Sequence, residues 1–429
     1  MKNSSIGQLV ESDFWGNNTA TAGRVVSYSK LGNICFLKIQ DSTGVLQLSL
    51  KKQTLEENYK AICNSFTRGM HIAVVGNRWT TLTGEVTLDI TSLEVVQSAC
   101  ASLPDKWHGM ENAELRLRKR YMETSTNLEA AQVFIKRSKI IQSVRNFLIE
   151  EDYLEVDTPV LTHAASGAMA SPFVTHSNAL DKDFYLRIAP ETNLKVMVGG
   201  GFDRVFEIGK NYRNEGMSRQ HLNEYLAIEY YAAYETYQTN KIFFLRLIDQ
   251  VLEDAGFDDR IVPYGEHTLD FNTIQTVLYR DLFINAGFQS PDTMSAAEAD
   301  EVFKKSIRPT LIQPVIVEDY PAHLSPMAKR RDDDSTTAEQ WQFIVAAMEI
   351  TKAYSELVDP VLQRELLEEQ MNQKNSGNEE TMMIDEPYLE AMSAGFPPIA
   401  GTGIGLERLI MLLTNSKSIR DVVFFPMMG

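Results

Sequence analysis

The stretch GFDRVFEIGKNYRNEGMSRQHLNEYLAIEYYAAY, residues 201–234, decides the fold of this chain. It predicts two strands joined by a polar loop. Side chains two residues apart on a strand share a face. We therefore expect Tyr225, Glu229 and Tyr231 on one face of the second strand, with the intervening apolar side chains on the other face.

Charged groups of this hairpin gather at one place if its two strands pair antiparallel. Arg213 and Glu215 then lie beside the polar face, and the loop adds Arg219 and His221. This set of residues suggests a site for a charged ligand. Alternation is also the ordinary pattern of a half-buried strand, so a hairpin with a solvated charged face is an equal alternative.

The composition predicts a folded globular protein of two or three domains. The chain has 429 residues, of which 44% are hydrophobic and 23% are charged, so it can bury a large core. Its formal net charge of -17 argues against a surface that binds nucleic acid generally. A local basic patch remains compatible with that charge.

The cysteines and the N-terminus predict a cytoplasmic protein. The three cysteines are Cys35, Cys63 and Cys100, and an odd number without a CxxC pair indicates neither a disulfide framework nor a zinc site. The start MKNSSIGQLVESDFWG lacks the apolar segment of a signal peptide. No apolar run approaches the roughly 20 residues that span a bilayer, so we expect no membrane association.

Residues 1–103 predict a five-stranded OB-fold barrel. Their β-rich runs carry one helix candidate, NYKAICNSF, between the third and the fourth strand, which is the order of that fold. On such a barrel Phe36 would stack on an unpaired base, Gln47 would hydrogen-bond to one, and Arg24 would contact a phosphate or a base. Periodicity does not separate this interpretation from a place in the barrel core for Phe36.

The rest of the chain predicts a linker and a larger domain. Residues 104–127 form the linker, with a basic helix candidate ELRLRKRY, and residues 128–429 form the domain. Helical spacing predicts helices over 128–149, 192–198, 235–255 and 359–375, and β-rich runs predict strands over 153–160, 312–317 and 342–354. Residues 257–310 are predicted to be a helical insertion. The run GTGIG alone is weak support for a dinucleotide fold.

Three segments in order resemble motifs 1, 2 and 3 of the class II aminoacyl-tRNA synthetases. They are YLEVDTPV, then RNEG with a loop histidine and a strand ending EYYAAY, then GTGIGLERLIMLL. The OB domain resembles the subgroup specific for lysine, aspartate and asparagine. Other runs resemble the lysine-specific family, and they are LPDKWHG, FVTHSNALDKDFYLRIAPE, VGGGFDRVFEIGKNYRNEG, AYSELVDPVLQRE and TNSKSIRDVVFFP.

The resemblance implies an α+β fold, with an OB-fold barrel followed by an antiparallel sheet flanked by helices. It implies a homodimer with motif 1 at its interface. It also implies a two-step ligase reaction, in which L-lysine attacks the α-phosphate of ATP to give lysyl-adenylate, and a lysine tRNA then takes the lysyl group. The implied cofactor is Mg²⁺.

The same resemblance assigns site residues by position. Catalytic roles fall on Arg213 and Arg408, and metal binding on Glu349 and Gln342. The residues that it places on ATP are Arg213, Glu215, His221, Tyr225, Glu349 and Arg408. The residues that it places on lysine are Gly167, Glu191, Arg213, Glu229, Tyr231, Tyr354 and Glu356. The residues that it places on the tRNA anticodon are Arg24, Phe36 and Gln47.

The chemistry of these residue types agrees with those assignments. The planar fork of an arginine suits both a carboxylate and a phosphate. Two carboxylates, Glu229 and Glu356, with a phenol in one pocket favour a cationic side chain over an acidic one. A carboxylate such as Glu349 is a hard oxygen ligand for magnesium.

The chain departs from the family pattern at several positions. His-Leu-Asn-Glu-Tyr over 221–225 stands for His-Asn-Pro-Glu-Phe, which leaves the loop shape open. Gln342 stands for a second metal-binding glutamate, and residues 346–347 are Ala-Ala instead of Gly-Gly. Ser171 replaces an arginine. Lys352 stands for an asparagine, and it would either pair with a pocket glutamate or face a substrate anion.

Two alternatives to a lysine–tRNA ligase remain. The first is a paralogue of this fold that activates another amino acid or modifies an acceptor other than tRNA. The second is a tRNA-binding regulator without catalysis, against which Arg213, Glu215, Glu349 and Arg408 argue.

Overall fold

The computed structural model describes residues 4–11, 18–55, 59–100, 112–375 and 382–428. By its internal contacts the chain divides into two units, residues 1–134 and 135–427. The run LPDKWHG, residues 103–109, and the first part of the predicted linker lie outside the described residues. Among the described residues, no helix combines the length and apolar composition needed to cross a membrane.

The first unit contains the predicted OB-fold barrel. Its strands are β1 (Thr19–Leu31), β2 (Ile34–Gln40), β3 (Val45–Lys51), β4 (His71–Thr80) and β5 (Val86–Gln97), and they close in the order β1-β2-β3-β5-β4. Its helices are α1 (Ile6–Glu11), α2 (Lys52–Leu55), α3 (Tyr59–Ser65), α4 (Ala113–Arg118) and α5 (Arg120–Thr126). Alternate residues of β2 and β3 point inward and build an apolar core, as period 2 requires.

Within the described residues, eight strands of the second unit form one mixed sheet, in the order β14-β15-β16-β17-β18-β11-β10-β6. They are β6 (Leu154–Glu155), β10 (Arg204–Tyr212), β11 (Glu224–Ala233), β14 (Gln275–Leu278), β15 (Val315–Pro321), β16 (Thr337–Val345), β17 (Met348–Ser355) and β18 (Ile399–Gly405). Neighbouring strands are antiparallel except at the two edges of the sheet. There β6 pairs parallel with β10, and β14 pairs parallel with β15. The predicted hairpin, β10 with β11, lies inside this sheet.

Small sheets and helices surround the large sheet. The strands β7 (Leu161–Thr162), β8 (Val174–Ser177) and β9 (Lys182–Leu186) form one small sheet, and β12 (Ile261–Tyr264) and β13 (His267–Asp270) form another. The helices are α6 (Leu128–Glu150), α7 (Glu191–Gly199), α8 (Tyr237–Asp254), α9 (Tyr279–Asn285), α10 (Ala296–Val302), α11 (Pro360–Asn375), α12 (Glu386–Ser393) and α13 (Leu406–Leu413). Helix α8 packs Phe244 on Trp341 of β16, which helps to fix that face of the sheet.

Three predictions of local structure are wrong. The segment 257–310 is not purely helical, because it contains β12, β13 and β14, and four-residue strands are too short to show a period. The run 342–354 is two strands, β16 and β17, joined at Ala346 and Ala347. Of the strand predicted over 153–160, only β6 pairs, and β6 has two residues.

Candidate active site

The glycines of β18 form the floor of a groove in the large sheet. Gly403 lies opposite Lys352 on one neighbouring strand and opposite Glu229 on the other. Residues opposite one another in adjacent strands share a face, so Gly403 leaves a gap between two charged side chains. A Cβ atom at Gly401 would lie 2.2 Å from the Tyr231 ring and 2.4 Å from Glu356. Gly401 therefore lets these two side chains lie directly against β18, whereas a Cβ atom at Gly403 would meet only Glu229, at 3.6 Å.

One end of the groove gathers buried carboxylates, and we call Glu191, Lys195, Glu229 and Glu356 the acidic end. Glu191 begins α7, Glu229 lies on β11, and Glu356 follows β17; all three side chains are buried. The Tyr231 hydroxyl donates to Glu229 at 3.0 Å, as the alternation along this strand predicts. The Tyr354 hydroxyl donates to Glu191 at 2.6 Å.

Gly167 lies against the same end. Its backbone has a φ of +83°, which favours glycine. A Cβ atom there would lie 3.0 Å from the Cβ of Glu191. Of the seven residues predicted to bind lysine, the structure thus brings six together at this end, all except Arg213.

Lys195 is a site residue that the sequence reasoning missed. Its side chain is fully buried, and its ammonium donates to Glu191 at 2.6 Å and pairs with Glu356. Burial opposes its charge, but Glu191 and Glu356 outweigh burial and raise its pKa. The spacing from Glu191 to Lys195, four residues on a helix, was the signal available in the sequence.

Among the described residues, Glu229 forms no ion pair. Burial, and next the negative charge of Glu191, raise the pKa of Glu229 to about 8, although the Tyr231 hydroxyl and Arg213 act in the opposite direction. Within the described residues the acidic end holds three carboxyl groups and one lysine. This balance favours a ligand that brings a positive charge.

A buried ion pair supports Glu229 from the neighbouring strand. Glu207 lies opposite Glu229 and pairs with Arg187. The Glu207 carboxylate also accepts from the backbone and hydroxyl of Thr158, at 3.1 and 2.8 Å. Because Glu207 is thus satisfied, it does not compete for a ligand in the groove.

The other end of the groove gathers cations, and we call Arg213, His221, Arg308 and Arg408 the basic end. Arg213 follows β10, and its guanidinium lies 5.3 Å from the centre of the Tyr225 ring. Arg408, on α13, donates to the carbonyl oxygens of Glu349 at 2.7 Å and of Gln220 at 3.3 Å. Burial and the positive charges of Arg213 and Arg308 lower the pKa of Arg408.

His221 is held neutral by its surroundings. Partial burial, followed by the charges of Arg408, Arg308 and Lys304, lowers its pKa to about 4, although the ring stays solvent-accessible. Its Nδ1 atom is paired with the Ser218 hydroxyl at 2.8 Å. Sequence reasoning missed Arg308, because it placed this residue in a helical insertion away from the site.

The loop that departs from the family pattern is closed by its own side chains. The Asn223 amide donates to the carbonyl oxygens of Arg213 at 2.8 Å and of Glu215 at 2.7 Å. Leu222 is buried. The Glu215 carboxylate accepts from the backbone N–H of Ser171 at 3.3 Å. The altered residues therefore fix the loop beside Arg213.

A β-bulge shapes the wall that β17 gives to the groove. The register steps from Phe343 opposite Thr351 to Ile344 opposite Glu349, so Ile350 is extra. A bulge shifts the alternation of side chains. Glu349 is half-buried like Lys352 and Tyr354, whereas the residues between them are buried. These three side chains thus line the same wall.

The residues predicted to bind metal offer two oxygen donors. Gln342 lies opposite Lys352, and its buried Oε1 atom has no hydrogen-bond partner in the described part of the chain. With the Glu349 carboxylate it would hold one magnesium ion, since Mg²⁺ takes few protein ligands. The described residues contain no cluster of three or more His, Cys, Asp or Glu side chains able to hold a metal.

The barrel carries the three residues predicted to contact nucleic acid on its outer side. Phe36 and Gln47 alternate with inward-facing residues of β2 and β3, and both are half-buried. The Gln47 amide donates to the Thr87 hydroxyl at 3.0 Å. Arg24 is also half-buried, and its Nε donates to a ring nitrogen of His71 at 3.2 Å. Phe36 is therefore not part of the barrel core.

Comparison with known proteins gives two family matches. Residues 112–429 match tRNA synthetases class II (D, K and N). Residues 20–96 match the OB-fold nucleic acid binding domain.

Curated relatives cover most of the chain. The lysine–tRNA ligase of Dehalococcoides mccartyi is 37% identical over 432 residues, which are 94% of this chain and 86% of that protein. The lysine–tRNA ligase of Aquifex aeolicus is 39% identical over 434 residues, with 94% and 72% covered. That of Helicobacter pylori is 37% identical over 428 residues, with 95% and 85% covered.

Proposed function

The chain belongs to the tRNA synthetases class II (D, K and N), and from this premise we propose that it is a lysine–tRNA ligase. It activates L-lysine with ATP and transfers the lysyl group to the 3′ end of a lysine tRNA. The observation that carries lysine specificity is the acidic end, where burial and the negative charge of Glu191 raise the pKa of Glu229 to about 8. An aspartate side chain there would add a further negative charge.

The first step needs positioning and charge more than a protein nucleophile. A carboxylate oxygen of lysine attacks the α-phosphorus, the bond to the β-phosphate oxygen breaks, and pyrophosphate leaves. Arg213, at the basic end, also interacts electrostatically with Glu229, and it neutralises the carboxylate and the α-phosphate. Glu229 and Tyr231 hold the side-chain ammonium, Glu191 and Gly167 the α-amino group, and Tyr354 the alkyl chain.

The basic end holds ATP in the same proposal. Tyr225 stacks on the adenine, Glu215 and His221 contact the nucleotide, and Arg408 binds the γ-phosphate. Bound Mg²⁺ supplies positive charge to the phosphates, and Glu349 and Gln342 would hold it. In the second step the terminal ribose hydroxyl attacks the activated carbonyl and AMP leaves.

The proposal extends to partners and domains. Residues 1–103 bind the anticodon through Arg24, Phe36 and Gln47, residues 104–127 link the domains, and residues 128–429 are catalytic. Leu154, Val160 and Leu161 are exposed apolar residues in and next to the segment that resembles motif 1. These exposed residues support a homodimer, which analytical ultracentrifugation would detect. The proposed compartment is the cytoplasm.

Amino-acid-dependent ATP–pyrophosphate exchange, followed by tRNA charging, tests this function. We expect exchange with lysine alone among the standard amino acids, and charging of lysine tRNA. Exchange with another amino acid would identify a paralogue of different specificity. Exchange with lysine but no charging would exclude the tRNA ligase, and the absence of any exchange would favour the regulator.

A further inference from the structure

Lys352 lies at the junction of the two ends of the groove. On β17 it stands between Glu349, on the side of the basic end, and Tyr354, whose hydroxyl contacts the acidic end. Across the sheet it faces Glu229 over Gly403. Two strand spacings separate these two residues, about 10 Å of backbone. A ligand that reaches from one end to the other passes beside Lys352.

The Lys352 ammonium has no carboxylate partner in the described part of the chain. Its ammonium lies 5.7 Å from the centre of the Tyr354 ring, and no carboxylate of the described residues forms an ion pair with it. Lys195, by contrast, contacts two carboxylates. Lys352 therefore does not neutralise the acidic end, and its charge is available to a ligand.

Gln342 keeps that charge available. It lies directly opposite Lys352, at a distance where an opposite charge would pair across the strands. A carboxylate at this position would hold the ammonium. The amide of Gln342 is neutral, only 8% exposed, and its oxygen has no hydrogen-bond partner among the described residues. Together these two residues contribute a net positive charge to the wall.

We propose that Lys352 is a catalytic cation that contacts the substrate carboxylate and the α-phosphate from the β17 wall, opposite Arg213. It supplies positive charge to these anions in addition to the one magnesium ion that Glu349 and Gln342 would hold. This inference rests on the proposed function. During adenylate formation the carboxylate oxygen bonds to the α-phosphorus and pyrophosphate leaves with the electron pair. Lys352 transfers no proton in this step and contributes only its charge.

Calorimetry with α,β-methylene-ATP, an analogue that cannot form the adenylate, tests the role of Lys352. In EDTA we expect Lys352→Met to bind the analogue about tenfold or more weakly than the wild type, since a charged contact is lost. Excess magnesium should shrink this difference, and Lys352→Arg should retain most of the affinity. Lys139→Met removes an exposed lysine of α6 and should change nothing. Equal binding by Lys352→Met and wild type in EDTA would overturn the proposal.

Electron paramagnetic resonance with Mn²⁺ counts the metal ions in the same complex. We expect one Mn²⁺ per bound nucleotide analogue in the wild type, and two in a variant that combines Gln342→Glu with Lys352→Asn. Two ions in the wild type would contradict the inference. Both measurements omit lysine, so they remain interpretable if lysine-dependent exchange fails, and that failure would overturn the proposed function alone.

Discussion

The two ends of the groove differ in the sign of their unbalanced charge. At the acidic end, burial and Glu191 raise the pKa of Glu229, because one lysine serves three carboxyl groups. At the basic end, burial lowers the pKa of Arg408, and the positive charges of Arg213 and Arg308 act in the same direction, although Glu349 and Tyr225 oppose them. The acidic end therefore favours a ligand that brings a positive charge, and the basic end favours a ligand that brings a negative charge.

This difference shows how a single strand, β18, can lie beneath two ligands of different charge. The glycines of β18 carry no side chains, so specificity comes from the walls, β11 on one side and β17 on the other. Charges already fixed in place need little reorganisation when the ligand binds. Hydrogen bonds fix the positions of Glu229, Glu191 and the loop that contains Asn223 before any ligand binds.

Removal of Arg213 should have the largest effect, because this residue of the basic end also interacts electrostatically with Glu229 of the acidic end. We expect Arg213→Ala to lower lysine-dependent exchange about 10³-fold, the upper range for loss of one preorganised donor. Arg260→Ala, which removes an exposed arginine paired with Asp249, is the matched control. Near-normal exchange by the Arg213 variant would mean that the two ends do not meet at this residue.

Lys195→Met should destabilise the acidic end most strongly, because it removes the cation that pairs with two carboxylates. Its loss leaves Glu191 and Glu356 buried without a cation, which costs about 3–5 kcal/mol. Urea denaturation measures this as a fall in the free energy of unfolding. Lys305→Met, which breaks an exposed pair with Glu301, should cost about 1 kcal/mol or less. Similar values for both variants would show that Lys195 does not organise the acidic end.

Glu229→Gln separates the two ends kinetically. The KM for lysine should rise about 30-fold or more, since truncation of a buried charge partner costs about 2–5 kcal/mol, whereas the KM for ATP should change little. Glu224→Gln, on the same strand but exposed, serves as the control. Equal changes in both KM values would remove Glu229 from the amino-acid pocket.

Substitutions in the turn between β16 and β17 should change the stability of the protein without changing ligand binding at either end of the groove. Ala346 and Ala347 have φ values of 50° and 61°, where non-glycine residues are strained. Replacing both by glycine should raise the free energy of unfolding by about 1 kcal/mol, because relief of strain exceeds the extra chain entropy. Calorimetric melting measures this change. A loss of stability, or altered exchange, would show that the turn supports the wall in another way.

The sequence predicted the part of the site that follows local alternation. The shared face of Glu229 and Tyr231 is confirmed by their hydrogen bond, and β10 and β11 pair antiparallel as expected. The barrel order is confirmed as well. The shared face and the hairpin depend on period 2 within one strand or hairpin, whereas the barrel follows from the order of its strands and helix along the chain.

Features that depend on distant contacts could not be predicted. Lys195 looks like an ordinary helix residue until Glu356 is brought to it from the end of β17. The hairpin of β16 and β17 was hidden because Ala-Ala carries no turn signal, unlike Asn-Gly. Arg308 reaches the basic end only because β14 adds to the large sheet and directs the following segment there.

Proton release on lysine binding tests the account of the acidic end most directly. With a pKa of about 8, Glu229 is mostly protonated at pH 7 in the free protein, and a bound ammonium would favour its ionised form. Calorimetry in buffers of different ionisation enthalpy should therefore detect most of one proton released per lysine at pH 7. Affinity should rise from pH 6 to pH 8, and Glu229→Gln should abolish the release. Lysine binding without proton release in the wild type, or with equal release in Glu229→Gln, would contradict the account.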